Sequence, residues 1–195
     1  MAKSPILRRS FYSRETVDVA IDLLAKNLVR VERRARMEAR IVEVEAYRGS
    51  DDQASHAFLG MTQRNAPMFG QPGHAYVYFT YGNHYCLNVT TQPIGVPGAV
   101  LIRAVEPLKG IDFMRRLRPR VPDVELTNGP GKLTKALKID KSLNEVDMTR
   151  LGPLYITHSE SEAPEIVCTS RVGIKQGTAR MWRFYISGNP YVSRA

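Results

Sequence analysis

The chain has 195 residues, 43% of them apolar and 24% charged, with 28 Lys and Arg against 19 Asp and Glu. That balance excludes a disordered chain and suits one domain with a sizeable core. No apolar run is long enough to cross a bilayer, and the basic start at Met1–Arg9 leads into no signal core, so a soluble, intracellular protein is expected.

The net charge of +9 fits either a polyanionic partner or a solvated basic face. Arginines gather at Arg30, Arg33, Arg34, Arg36 and Arg40, and again at Arg115, Arg116, Arg118 and Arg120. In chain order, Ser13 is placed to cap a helix whose apolar stripe is Val17, Ala20, Ile21, Leu24 and Leu28. Asn27 and the β-branched Val29 and Val31 end it. Ala39–Tyr47 reads as a strand. Alternation puts Ile41, Glu43, Glu45 and Tyr47 on one face and Val42, Val44 and Ala46 on the core face.

Residues 48–73 form a long loop, and loops of that length inside a compact domain are usually functional or disordered. It holds His56, Arg64, Asn65, Met68 and Phe69. Ala75–Tyr81 and His84–Thr91 flank Gly82-Asn83 as a β-hairpin, with Tyr81 beside its tip. Ala99–Val105 is a further strand with Ala99, Leu101, Arg103 and Val105 on one face. An arginine in that apolar alternation requires a partner. Leu108–Leu117 has the pattern of a short amphipathic helix and Pro119–Thr127 is irregular. Asn128-Gly129-Pro130-Gly131-Lys132 is a Gly-rich loop before a short helix, Leu133–Leu137. Met181–Ile186 reads as a strand. Strands follow strands, so the expected class is α+β with a mostly antiparallel sheet.

Several residues carry candidate chemistry. Glu45, on a strand face beside Tyr47, is a candidate general base for water, with Glu43 a weaker one and Arg103 the natural counter-ion. The ordinary alternatives are an edge-strand glutamate and a structural ion pair. Tyr76 and Tyr78 share a face, whereas Tyr81 at a turn is placed to push into something, as wedges do when duplex DNA is bent or opened. His56 can stack on or hydrogen-bond a base, and Asn88 can read a purine edge. The loop ending at Lys132 resembles an anion site for a DNA phosphate, without the Walker spacing. The two cysteines, Cys86 and Cys168, lie in no metal-binding spacing and read as two small, mostly buried thiols. No metal site is expected.

The combination of Glu45-Ala46-Tyr47, a histidine nine residues on at His56, Arg64-Asn65 with Met68-Phe69, Tyr76-Val77-Tyr78 with Tyr81-Gly82, and Cys86-Leu87-Asn88 resembles the alkyladenine (3-methyladenine) DNA glycosylase family. The likeness extends to Arg183-Phe184-Tyr185 and Asn189-Pro190-Tyr191-Val192-Ser193. It implies a single glycosylase domain over residues 1–195. In it a curved, mostly antiparallel sheet is flanked by helices and carries a protruding hairpin, like the C-terminal domain of formyltransferases. It implies a monofunctional base-excision enzyme without lyase activity. That enzyme acts on double-stranded DNA containing damaged purines, as a monomer, with no cofactor and no membrane. The location would be the bacterial cytoplasm and nucleoid, or a eukaryotic nucleus.

Residue by residue, the resemblance makes Glu45 the base that activates water and Arg103 the arginine that holds it, with the Val172 backbone completing the water site. Tyr47, His56 and Tyr78 would hold the extruded base, and Asn88 would screen against guanine. Tyr81 would fill the gap in the duplex, with Gly82, Asn83, Arg64 and Lys132 as further DNA contacts. Asn83 stands where many relatives have methionine. Two other readings stay open at this level: a non-catalytic binder of damaged or bent DNA, and a hydrolase of carbohydrates or free nucleosides.

Overall fold

The computed structural model describes residues 6–33, 35–80, 82–159 and 163–193. After a single helical turn, α1 (Arg9–Tyr12), helix α2 spans Thr16–Leu23. Its cap is Glu15, whose carboxylate accepts from the Thr16 N–H, rather than Ser13. The helix is also shorter than its stripe suggested. Ala25 takes a positive φ of 63°, which breaks the helix before Leu28. Asn27–Glu32 then forms strand β1, so Leu28 reaches the core from a strand.

Strand β2 (Ala35–Tyr47) is the spine of the sheet. Along one edge it pairs with β5 (Ala99–Lys109). Its other edge is shared: residues 35–40 pair with β1, and Glu43–Glu45 pair with β8 (Arg183–Ile186). The hairpin β3 (Ala75–Thr80) and β4 (His84–Thr90) joins through β4 to β5. Strand β6 (Leu154–Thr157) pairs with β1, and β7 (Ile166–Thr169) with β8. All eight strands form one curled, antiparallel sheet, so the class is α+β as expected. Strands β1, β6 and β7 are additional to the predicted ones, and Leu108 belongs to β5 rather than to helix α3 (Ile111–Leu117).

The face assignment on β2 needs correction. Val42 has no partner on β5, and the register shifts on either side of Glu43. Such a bulge re-phases the side chains beyond it. Met37, Ala39 and Ile41 enter the main core before the bulge, and Val44 and Ala46 enter it after. Ile41 therefore faces away from Glu43 and Glu45. Strand β5 shows the same break: Val100, Ile102 and Val105 pack in the core, whereas Arg103, skipped in the pairing, turns to the other side.

The core face is covered by α2, α3 and α4 (Pro130–Ala136), which contribute Val19, Leu23, Met114 and Leu133. Helix α4 starts earlier than expected, because Pro130 sits in its first turn, where a missing N–H has no cost. On the opposite face a smaller cluster gathers Ala57, Met68, Tyr76 and Ala99 with Phe69 and Tyr78. Alternation along β3 divides the two, with Ala75 and Val77 inward and Tyr76 and Tyr78 toward this second face. Of the two free cysteines Cys86 is buried and Cys168 is exposed, a correction for the latter. Among the described residues strand β7 pairs only with β8, and the Cys168 thiol donates to the Met181 carbonyl at 2.7 Å. Among the described residues no helix is long and apolar enough to cross a membrane.

Candidate active site

The second face of the sheet borders a cavity of about 850 Å³. Strands β3, β4 and β5 supply Tyr76, Tyr78, Asn88, Leu101 and Arg103, and the end of β2 supplies Tyr47. The loop after β2 adds His56, and the strip 172–176 closes the far side.

Glu45 is fully buried just behind this wall. Its Oε1 accepts the Val172 N–H at 2.7 Å and lies 3.3 Å from Arg103 Nη1. Its Oε2 accepts the Tyr47 hydroxyl at 2.8 Å. All three partners line the cavity. A carboxylate taken out of water is tolerated only when paired and hydrogen-bonded, and these contacts supply both. Burial, followed by the Glu45 charge, pushes the Tyr47 phenol well above its ordinary range, so it stays a proton donor. Burial works against the Arg103 cation, but Glu45 and then Glu43 outweigh it and keep its pKa raised.

Glu43 has a different environment. Its Oε1 meets Arg103 Nε at 2.9 Å, Arg183 Nε at 2.7 Å and Ser193 Oγ at 2.8 Å, and its Oε2 accepts the Ser193 N–H at 2.6 Å. It serves as an internal anchor that orients Arg103.

On the aromatic side, His56 Nδ1 pairs with the Tyr76 hydroxyl at 3.0 Å, and its ring stands edge-on to Tyr78 at 4.7 Å. Protein atoms around the ring, with Arg64 beside it, lower the His56 pKa and favour neutral imidazole. Burial pushes the Tyr76 hydroxyl up to about 12. Arg64 lies over the Tyr78 ring at 5.3 Å and donates to the Phe79 carbonyl. Asn88 is buried, with its amide donating to the Tyr76 carbonyl at 3.0 Å. That bond fixes its orientation at the wall.

The structure thus brings Glu45, Arg103, Tyr47, His56, Tyr78, Asn88 and Val172 to one cavity and its immediate backing. Tyr81 lies outside the described residues. Gly82 and Asn83 form the exposed turn of the hairpin, and Asn83 borders the cavity mouth. Lys132 borders it too, held to Asn128 at 2.8 Å and facing Glu125 at 3.5 Å. With Arg118, Lys135 and Lys175 on the same rim, the mouth is cationic. Three contributors were not singled out from the sequence: Tyr76 as the partner of His56, Ser193 as the clamp on Glu43, and the pair Asp52 and Arg171. Tyr76, Ser193 and Arg171 each lie in or beside a motif that the sequence shows, but their partners lie 20, 150 and 119 residues away, and no local pattern joins them.

Comparison with known proteins gives the family. The family model described as methylpurine-DNA glycosylase (MPG) matches residues 10–190. A provisionally named 3-methyladenine DNA glycosylase of Carboxydothermus hydrogenoformans is 52% identical over 190 residues, covering 97% of this chain and 99% of that protein. One of the same name from Methanocella arvoryzae is 47% identical, covering 97% and 96%. Another, from Clostridium tetani, is 44% identical, covering 96% and 98%. With the match running through the cavity wall and nearly end to end, the chain belongs to the methylpurine-DNA glycosylase family and is a DNA glycosylase.

Proposed function

We propose that the cavity receives one damaged purine rotated out of duplex DNA, and that Glu45 activates the water that cleaves its N-glycosidic bond. The observation that carries this reading is a fully buried carboxylate whose three partners all stand in the wall of a cavity lined with aromatic side chains and large enough to admit a purine nucleotide.

An active site cannot reach the glycosidic bond of a stacked base, so the nucleotide must turn out at a cost of a few kcal/mol. Stacking on aromatic side chains returns roughly 1–3 kcal/mol per base. Tyr47 and Tyr78, with His56 edge-on to Tyr78, offer such surfaces. Tyr81, next to the hairpin turn in sequence, takes the role of the wedge that keeps the vacated position filled. Alkylation of a ring nitrogen makes the base a better leaving group, and the sugar carbon gains oxocarbenium character as the bond lengthens. An anionic Glu45 stabilises that charge and accepts the proton of the attacking water, with Arg103 and the Val172 backbone holding the geometry. The product is an abasic site without strand cleavage, because the attacking group in this reading is a water activated by Glu45, and the groups around that carboxylate are Arg103, Tyr47 and the Val172 N–H rather than a lysine, the lysines standing at the cavity mouth.

The substrates fitting this reading are 3-methyladenine, 7-methylguanine, hypoxanthine and ethenoadenine. Asn88, held by the Tyr76 carbonyl, presents a fixed amide at the cavity wall and is the group that screens against normal guanine. The test is base release from a panel of lesion duplexes. Parent enzyme should release free base and leave the strand intact, and Glu45→Gln should bind the same duplex without release. A parent that binds lesion DNA and releases nothing would make the protein a damage binder instead.

A further inference from the structure

Among the described ion pairs only Asp52–Arg171 has both side chains completely enclosed. The contact is bidentate, with Arg171 Nη1 to Asp52 Oδ2 at 2.7 Å and Nη2 to Oδ1 at 2.6 Å. Neither residue borders the cavity. Burial alone would raise the Asp52 pKa, but Arg171 and the backbone N–H groups of Arg48 and Ala54 outweigh it and hold the carboxyl low. Two buried charges are a costly way to fill space, and apolar residues of similar size often serve stability as well or better. The pair therefore invites a reason beyond packing.

Each partner organises a different wall of the site. Asp52 accepts from Arg48 N at 3.1 Å and Ala54 N at 3.2 Å, shaping the turn that leads to His56. Arg171 donates to the Ala46 carbonyl at 2.9 Å, between Glu45 and Tyr47. Its guanidinium also lies 4.6 Å over the Tyr47 ring. The next residue is Val172, whose N–H holds Glu45. The strip 172–176 lines the cavity and ends at Gly177, which returns to the same pair. A Cβ there would stand 3.2 Å from Arg171 Nη2 and 3.6 Å from Asp52 Oδ1, and its φ is +64°. The wall strip thus begins and ends at one ion pair.

We propose that Asp52–Arg171 is a positioning clasp that locks the His56 loop to the Val172 strip, so that the seat for the base and the clamp on Glu45 are set as one unit. This inference rests on the base-excision reading given above. Displacement of a reacting group by about 1 Å can cost 100-fold in rate, so a loosened clasp should slow bond cleavage far more than it weakens DNA binding.

The test compares parent, Asp52→Asn, Arg171→Met and the double variant. The readouts are single-turnover base release at saturating enzyme, Kd for a duplex carrying an abasic-site analogue, and thermal midpoint. Each single variant should lose about 100-fold in release rate, with Kd changed by less than about threefold. The double variant should lose no more than the worse single one, because the two residues act as a unit. Gly177→Ala, which presses a methyl on the pair without removing a charge, should also slow release and serves if Arg171→Met does not fold. Release rates near the parent value with lowered thermal midpoints would reduce the pair to a stability element and overturn the proposal. Additive rate losses, or rate losses matched by Kd, would do the same. A parent that releases no base removes the base-excision reading and the clasp with it, whereas an active parent with an equally active Asp52→Asn removes the clasp alone.

Discussion

Glu43 and Glu45 stand two residues apart on one strand, and both are fully buried. They differ in what surrounds them. Glu43 is held by Arg103, Arg183 and Ser193 at the junction of β2, β5, β8 and the C-terminal segment. Glu45 is held by three groups that all belong to the cavity wall. Burial and charge pairing are thus shared by a structural acid and a candidate catalytic one. The location of the partners separates them.

The sharpest way to break this contrast is to neutralise each acid in turn. Glu45→Gln should lower single-turnover base release by about 10²–10⁴-fold, the usual worth of a general base. It should leave folding largely intact, because Arg103 keeps Glu43 as a partner. Near-parent release by this variant would move the catalytic role elsewhere. Glu43→Gln should act mainly on the fold, since it deprives Arg183 of its carboxylate partner. A broken buried pair costs about 3–5 kcal/mol, readable from urea unfolding. An unchanged midpoint would mean that the two acids are not distinct in kind.

Finer changes sharpen the same distinction. Tyr47→Phe keeps the ring and removes one donor to Glu45, so release should fall by roughly tenfold, the worth of a hydrogen bond to a charged group. Ser193→Ala removes one hydroxyl among several donors to Glu43. It should cost about 1 kcal/mol of stability, with release by the folded enzyme unchanged. Activity loss from Ser193→Ala exceeding that from Tyr47→Phe would reverse the assignment.

The smallest effect concerns pH. His56 has its pKa lowered from 6.5 in the folded state, so the unfolded chain takes up a proton first. Its contribution to stability is complete above pH 6.5 and is lost as pH falls toward the folded-state value. His56→Gln should therefore show a shallower decline of thermal midpoint below pH 6.5 than the parent. A steeper decline would contradict a neutral, Tyr76-paired imidazole.

Much of this arrangement was legible in the sequence. Alternation found most of β2, the β3–β4 hairpin and an Arg103 in need of a partner, and the motif resemblance gathered Glu45, His56, Asn88 and Val172. The limits are physical. Period-two reading assumes an unbroken pleat, so it set Ile41 beside Glu43 and Val105 beside Arg103. Helical spacing alone could not show that Ala25 would take a left-handed turn and release Leu28 to a strand. The Asp52–Arg171 contact joins positions 119 residues apart, and nothing local in either segment announces its partner.

The bulge at Val42 has a further consequence for how this gene can vary. Upstream of it the odd-numbered side chains feed the core, and downstream the even-numbered ones do. Gaining or losing one codon between Met37 and Ile41 would turn one half of the strand over relative to the other. Exchanges among the apolar residues there keep this phase, whereas a change of length shifts it.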